Sequence, residues 1–505
     1  SRRDRGLPRE TARPYSARAL TAGPCTAPAR FRAGLTAACA AAVLCAAGPV
    51  AADPLPSNDY QIDLFQGPLL LPIRVESLGG SYAGYAEEIS GLVANAAAPA
   101  VRETHGLRHI ELDLSGSFSI PLDLFDNNDF DNSGDLDAEY SDFVHVTGGV
   151  NLQVGRFGAG MIGDVSTYQV ADESGVETAV VVGRYHALVA ANFVEGQLCL
   201  GAGARALSMG FDTPRGDFFY VGAGPQAGVL VRPNGIPFRF GGTYRAPVSA
   251  QLLSAPASQD GLLRAGDLVL PGRVVQPWEV EVGVAVQVGP RPLNVPFRDP
   301  EDSDDWAERR VARARAERLR ERERDLLLAP EGAGRSQRVA DLDRREADLR
   351  AQEDAWLERE ERYELGRLDD VYAALPRQRL LLLLALVASG PVERGVSFEK
   401  FLGQNQTNQS ASDVIGSAGA ETNFSPRFGV EAEPVENRLV VRAGSYYEPS
   451  RFGGVGRQHF TFGALLNLFT TDVFGLLPEL SYGVEAGMDL APRYQSVSAT
   501  VTVFR

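Results

Sequence analysis

The residues whose spacing most resembles a chemical site lie in one acidic stretch, DNNDFDNSGDLDAEYSD, running from Asp126 to Asp142. Asp129, Asp131, Ser133 and Asp135 fall on alternate positions, and Gly134 sits where a calcium-binding loop turns sharply. The position that normally closes such a loop with a two-oxygen carboxylate carries Tyr140. The stretch therefore reads either as a weak Ca²⁺ site in an outer loop or as an acidic, solvated loop. No other cofactor is indicated. A second local feature is VSFEKFL, Val396 to Leu402, which places Phe398, Phe401 and Leu402 at helical spacing. It makes a small greasy face, suited to receive an acyl chain or to pack against a neighbouring surface.

Catalytic signatures are missing. There is no Gly-x-Ser-x-Gly elbow, phosphate-binding loop, His-Glu-x-x-His or cysteine pair. Gly222, Gly224 and Gly228 look superficially like a nucleotide loop but lie within an expected strand with no helix after it. His186 has no partner at a telling spacing. The chain reads as a protein that is not an enzyme.

The elements that must position these residues come next. The 505 residues carry a net charge of −16, which argues against a nucleic-acid binder, and 44% are hydrophobic. Residues 1–52 read as a leader ending in a secretory signal, with Arg30 and Arg32 before a short Ala-rich core and Val50-Ala51-Ala52 as the cleavage site. Beyond it the only cysteine is Cys199, so no intrachain disulfide is expected in the exported chain.

The stretch WEVEVGVAVQV, Trp278 to Val288, alternates without a slip between apolar residues and polar or small ones. HIELDLSGSFSI and RFGVEAE repeat the pattern. Period two means strands with one oily face. Such segments recur near 108–124, 143–155, 158–171, 177–194, 196–212, 217–232, 237–251, 272–289, 377–390, 425–436, 439–450, 458–470, 478–490 and 494–504. Fourteen is an even number, as closed bacterial barrels require. Connections alternate between short turns and long polar loops, which is the inside–outside asymmetry of outer-membrane barrels. The expectation is an all-β chain: a 14-stranded antiparallel transmembrane β-barrel with an N-terminal plug and an inserted periplasmic helical hairpin. Its parts are a hatch over 53–107, barrel strands 1–8 over 108–289, the hairpin over 290–376 and strands 9–14 over 377–505. Glu279, Glu281 and Gln287 then face the lumen, with Arg184, Arg205, Arg427 and Arg442 as counter-charges. The glycines Gly158, Gly160 and Gly163 thin one strand, either as a lateral gate or as a bend.

The insertion from Asp299 to Leu375 reads as two helices supported by Glu/Arg pairs, broken at Pro330, Gly332 and Gly334. Leu342, Leu349, Trp356 and Tyr363 recur every seven residues, a thin coiled-coil seam. It suits either pairing of the hairpin with itself or a periplasmic protein partner.

The hatch run LGGSYAGYAEEISGLVANAAAPA, and the late hairpin VVRAGSYYEPSRFGGVGRQHFTFGALLNLF, Val440 to Phe469, carry a resemblance. Both look like the long-chain fatty-acid transporter family of outer-membrane barrels, the FadL/TodX type. Asn95 matches the asparagine of that family's hatch motif, although the adjacent proline is displaced to Pro99. The resemblance implies a bacterial outer-membrane channel for hydrophobic small molecules such as long-chain fatty acids, with membrane lipid and the barrel-insertion machinery as partners. The alternative expectation is a structural anchor that presents the helical arm.

Overall fold

The computed structural model describes residues 58–65, 69–102, 109–121, 129, 132, 140–171, 177–213, 216–253, 263–265, 268–296, 300–327, 333–376, 379–398, 401, 417–436, 438–473 and 477–504. Fourteen antiparallel strands make the wall: β1 (Ile110–Pro121), β2 (Tyr140–Val154), β3 (Phe157–Ala171), β4 (Glu177–Phe193), β5 (Leu198–Thr213), β6 (Gly216–Val231), β7 (Phe238–Arg245), β8 (Glu279–Val288), β9 (Leu380–Ser389), β10 (Asn423–Val435), β11 (Leu439–Glu448), β12 (Arg457–Val473), β13 (Leu477–Ala491) and β14 (Tyr494–Phe504). Each pairs with its sequence neighbours in the wall, and β14 returns to β1 through Phe118↔Ala499 to Pro121↔Ser496. The barrel is closed.

Alternation decides which way each face looks. In β1, Ile110, Leu112, Leu114, Phe118 and Ile120 are exposed on the outer surface while Ser119 is buried. In β8, Val280, Val282 and Val288 are exposed, and Glu281 and Gln287 are buried within. The same belt continues around the wall with Met161, Val189, Leu200, Phe240, Leu384, Phe428 and Phe462. A closed sheet whose outer face is oily and whose polar side chains point inward is solvated by hydrocarbon. No described helix is long and apolar enough to cross a membrane.

Two wall strands stop short of the expected bounds, for one reason. The 237–251 segment breaks after Arg245, and a separate strand runs Val248–Leu252; the 272–289 segment splits into Arg273–Gln276 and β8. Pro247 and Pro277 stand at the breaks, and proline cannot donate to a ladder. Beyond the kinks the two short strands pair with each other. Arg205 sits behind both kinks. It is 1% exposed, donates through Nε to the Ala246 carbonyl at 3.0 Å and through Nη2 to the Pro277 carbonyl, and holds Glu279 at 2.9 Å.

Inside the barrel, residues 69–102 form the hatch, with α1 (Ile73–Ser77) and two 3₁₀ turns at Ile89–Val93 and Ala98–Ala100. The chain ahead of it rises to the loop end. There Gln61–Asp63 pairs in parallel with both Arg273–Gln276 and Gly395–Ser397. At the turn end, Asn294 accepts from Arg239 Nε at 2.7 Å and donates to the Ile236 and Phe238 carbonyls, so residues 289–296 lie across the base.

The hairpin is α2 (Pro300–Leu327) and α3 (Ala333–Ala373), at the turn end between β8 and β9. Forty-one residues make α3 roughly 60 Å long. The heptad seam does not hold it together: Leu342 and Trp356 are half-buried, but Leu349 and Tyr363 are exposed. Ion pairs join the helices instead: Arg315 to Glu353 at 2.9 Å, Arg318 to Glu346 at 3.2 Å and to Glu353 at 2.6 Å, and Arg322 to Asp343 at 2.5 Å.

Replacing Arg205 by alanine leaves two kink carbonyls without their donor in the interior and leaves Glu279 with only the longer contact to Arg245 at 3.7 Å. The expected cost is about 3–5 kcal/mol, read as a lower melting temperature of the β-signal in circular dichroism and loss of heat-modifiable migration on gels.

Candidate functional site: the hatch and the luminal cavity

The hatch is rich in small residues because the barrel wall approaches it at backbone distance. A Cβ on Gly158 would lie 1.9 Å from the Pro99 carbonyl oxygen, and one on Gly201 would lie 1.9 Å from that of Ala96. Gly79 combines a positive φ of 61° with wall backbone from Phe428 and Ser445 within 2.8 Å of where its Cβ would be; no other residue type fits there.

Asn95 is fully buried. Its amide donates to Ala83 O at 2.9 Å within the hatch and to Val229 O at 3.0 Å on β6, while its oxygen accepts from the Ala97 amide at 3.0 Å. It pins the hatch turn and fastens it to the wall in one step. Arg245 adds bonds to the Val93 and Ala94 carbonyls at 2.6 and 2.8 Å, and Gln153 holds the Pro99 and Val101 carbonyls at 3.0 and 3.1 Å.

Charge fastens the rest. Glu431 on β10 is completely buried and takes three guanidiniums: Arg74 of α1 at 3.1 Å, Arg379 at 2.6 Å and Arg442 of β11 at 2.8 Å. Arg442 also pairs with Glu485, and Arg74 with Glu88. On β7 Arg239 meets Glu87 at 2.7 Å. Burial pushes the Glu87 carboxyl up, yet Arg239, a hydrogen bond from Tyr85 and then Arg232 outweigh it and hold the group down at about 2. A third group joins His459 to Asp489 at 2.9 Å and to Glu448 at 2.7 Å, with Tyr446 donating to Asp489 at 2.6 Å. Within these three groups each buried charge has an opposite partner, as a low-dielectric interior demands.

Glu76 is the exception among the hatch carboxylates. It accepts from Ser498 at 2.8 Å and Ser496 at 3.4 Å and faces no arginine. Burial first, and the nearby Asp489 second, push its pKa up to about 8.

Between the hatch and the loop end lies a cavity of about 110 Å³. Leu64, Phe65, Leu69, Leu71, Val75 and Val93 give one apolar side, and the wall gives a polar one that includes Arg184, His186, Glu281 and Arg427.

The residues singled out from sequence fall as follows. Phe398 and Phe401 are buried in an aromatic cluster at the loop end: Phe401 stands 5.6 Å from Phe211, and Phe398 6.2 Å from Tyr168, ring centre to ring centre. Neither lines the cavity. They share that buried cluster with Tyr60, Ile62 and Leu64 of the rising chain. Leu402 lies outside the described residues. The β3 glycines do not open the wall: the ladder runs unbroken through Gly158, Gly160 and Gly163 on both sides. Their missing side chains make room for Pro99, Leu92 and Tyr185 respectively. Asp129 is buried and its amide donates to Arg493 O at 2.9 Å, whereas Asp131, Ser133 and Asp135 lie outside the described residues. Among the described residues no cluster of metal-binding side chains occurs. The hatch ion pairs escaped sequence reading because Arg74 and Glu87 lie in a segment without period; the wall half, Glu431 and Arg442, showed as charges on strand faces.

No protein-family model matches the chain, and no curated protein matches it in sequence. Among solved structures it is similar to the CymD monoaromatic hydrocarbon channel, at TM-score 0.41 and 9% identity, covering 86% of this chain and 96% of that one. A Pseudomonas aeruginosa FadL homologue gives TM-score 0.41 and 12% identity over 90% and 97%. The Pseudomonas putida toluene transporter TodX gives TM-score 0.38 and 10% identity over 88% and 98%. At these values the likenesses assign nothing, and the barrel rests on its own strand pairing.

The Glu76 environment makes hatch docking depend on pH. The docked carboxyl titrates near 8 and the undocked one near 4.5, so the docked state binds more protons between those values. Docking is strongest below the lower value and weakens as pH rises through the window, by at most about 1.4 kcal/mol per pH unit. Protease protection of the hatch is expected to fall between pH 6 and pH 9, and Glu76→Gln is expected to flatten that profile.

Proposed function

We propose that this chain is a channel of the bacterial outer membrane for hydrophobic small molecules. Closed antiparallel barrels with an oily outer belt span that membrane, and the turn end with its helical hairpin then faces the periplasm. One observation carries the reading: the lumen is filled by a hatch, yet a cavity with one apolar side remains between hatch and loop end. A purely structural anchor has no use for such a space.

Size refines the cargo. At about 110 Å³ the cavity is near the range in which a protein void of roughly 150 Å³ takes up one benzene ring. A single ring or a short chain suits it, whereas a long acyl chain requires the hatch to move. Passage proceeds from the loop end into the cavity and then past the hatch, whose hydrogen bonds and ion pairs set the barrier. The hairpin satisfies its own charges between helices, so it is not needed for conduction.

Liposomes carrying the full-length protein are expected to admit toluene faster than protein-free vesicles and to admit palmitate no faster. Val93→Trp, which fills the cavity from the hatch side, is expected to reduce toluene entry about tenfold, a barrier increase near 1.4 kcal/mol. Removing 299–375 is expected to leave entry unchanged. Equal toluene entry with and without the protein defeats the reading.

A further inference from the structure

The luminal face of β9 departs from the rest of the bore. Its stretch LLLLLALV, Leu380 to Val387, is apolar at every position. Leu384 and Leu386 are exposed on the outside, while Leu381, Leu383, Ala385 and Val387 alternate with them and are buried within. On the same luminal face the neighbouring strands β8 and β10 carry Glu281, Gln287, Glu431 and Glu433, as a polar bore requires. Hydrocarbon explains the outer leucines of β9 but not the inner ones.

The inner stripe joins the cavity to the base. Val387 lines the cavity. Leu381, about 20 Å further toward the turn end, packs with Leu383, with Ala285 of β8, with Tyr82 and Tyr85 of the hatch and with Leu293 in one buried cluster. Leu383 is flanked by Ala285 and Gly429 in the ladder, so the stripe widens there without meeting a charge.

Leu293 belongs to the strap of residues 289–296 across the base. Prolines at 290, 292 and 296 deny the strap a regular ladder, so the wall must hold it. Arg239 donates to the Leu293 carbonyl at 2.8 Å, the Gly235 amide to that of Asn294 at 3.1 Å and Arg232 to that of Val295 at 3.4 Å. The same two arginines hold the hatch, at the Tyr85 carbonyl at 3.1 Å and the Arg102 carbonyl at 2.7 Å. Hatch and strap share their anchors.

We infer that the inner face of β9 is the route of an apolar cargo from the cavity to the turn end, and that Leu293 on the strap is the plug at its exit. The inference rests on the channel reading and adds the path and the last barrier to it. A ring moving along these side chains exchanges one apolar contact for another, whereas any other course down the bore parts paired charges. Tyr82 and Tyr85 move aside for its passage, and Leu293 lifts with the strap. The ladder on both sides of β9 is continuous from Leu380 to Ser389, so the stripe leads along the bore and not through the wall at this strand.

The test measures toluene entry into liposomes carrying the full-length protein, with entry into protein-free vesicles subtracted. Leu383→Asn puts an amide on the stripe and is expected to slow entry about fivefold, a barrier increase near 1 kcal/mol. Leu293→Ala withdraws the plug and is expected to speed entry about threefold. Lost packing alone would loosen the hatch and speed entry in both, so the opposite signs separate a route from a structural role. Leu188→Asn places the same amide in the same buried cluster but on β4, and is expected not to slow entry. Heat-modifiable migration checks that each variant is folded. Should Leu383→Asn fail to fold, Ala385→Ser replaces it, with entry slowed about twofold. Entry unchanged or faster when the stripe is made polar, or slowed equally by Leu188→Asn, overturns the route. Entry not speeded by Leu293→Ala overturns the plug. In either case toluene entry through wild type still supports the channel; no entry through wild type brings down the channel reading and the route together.

Discussion

Hydrocarbon accepts no hydrogen bonds and no charge, and the rest of this molecule follows from that one constraint. The wall must pair its own backbone, which only a closed sheet achieves without an edge. It must also send every ionisable side chain inward. Fourteen strands with one polar face each deliver a dense crowd of arginines and carboxylates into a narrow lumen. Left empty, that lumen would be water; filled by a hatch, it becomes an interior where each charge needs a partner.

The hatch is shaped by the answer to that need. Its backbone threads so close to the wall that glycines on both sides are required, as at Gly79 against β10 and β11 and at Gly158 against Pro99. Its few charged residues are placed where the wall offers a counter-ion: Arg74 to Glu431, Glu87 to Arg239. Buried pairs of this kind contribute little net stability relative to an apolar packing, but breaking one is expensive. They act as register pins that select a single seating for the hatch. Glu76, lodged among serines rather than arginines, is the hatch carboxylate at which the pairing rule is relaxed.

At the loop end the same chain closes the barrel with ordinary protein physics. Kinks at Pro247 and Pro277 interrupt two wall strands, and Arg205 caps the carbonyls they expose. The bent ends pair with each other and with the N-terminal strand Gln61–Asp63, and an aromatic cluster including Phe211, Phe218 and Phe401 packs beneath. Phe398 and Phe401 thus belong to the lid. Their exposed-looking helical spacing in sequence gave no sign that the rising N-terminal chain would cover them.

The number of wall strands, their outward faces and the two helices were legible in the amino-acid order, because period two and period 3.6 are local properties that survive any tertiary arrangement. Asn95 was legible only through resemblance to a family motif, and its double bond to Ala83 and Val229 could not be foreseen from spacing. The hatch partners of the luminal charges were invisible, since Arg74 lies hundreds of residues before Glu431 along the chain. The glycines of β3 read equally well as a gate or a bend in the sequence; the structure shows the hatch pressed against Gly158 and Gly160, and Tyr185 of the neighbouring strand against Gly163. Sequence by itself determined that this chain is a barrel with oily flanks and a charged bore. Tertiary closure alone decided which charges meet, which stay unpaired and where space is left, because those outcomes depend on distances across the lumen that no local pattern encodes.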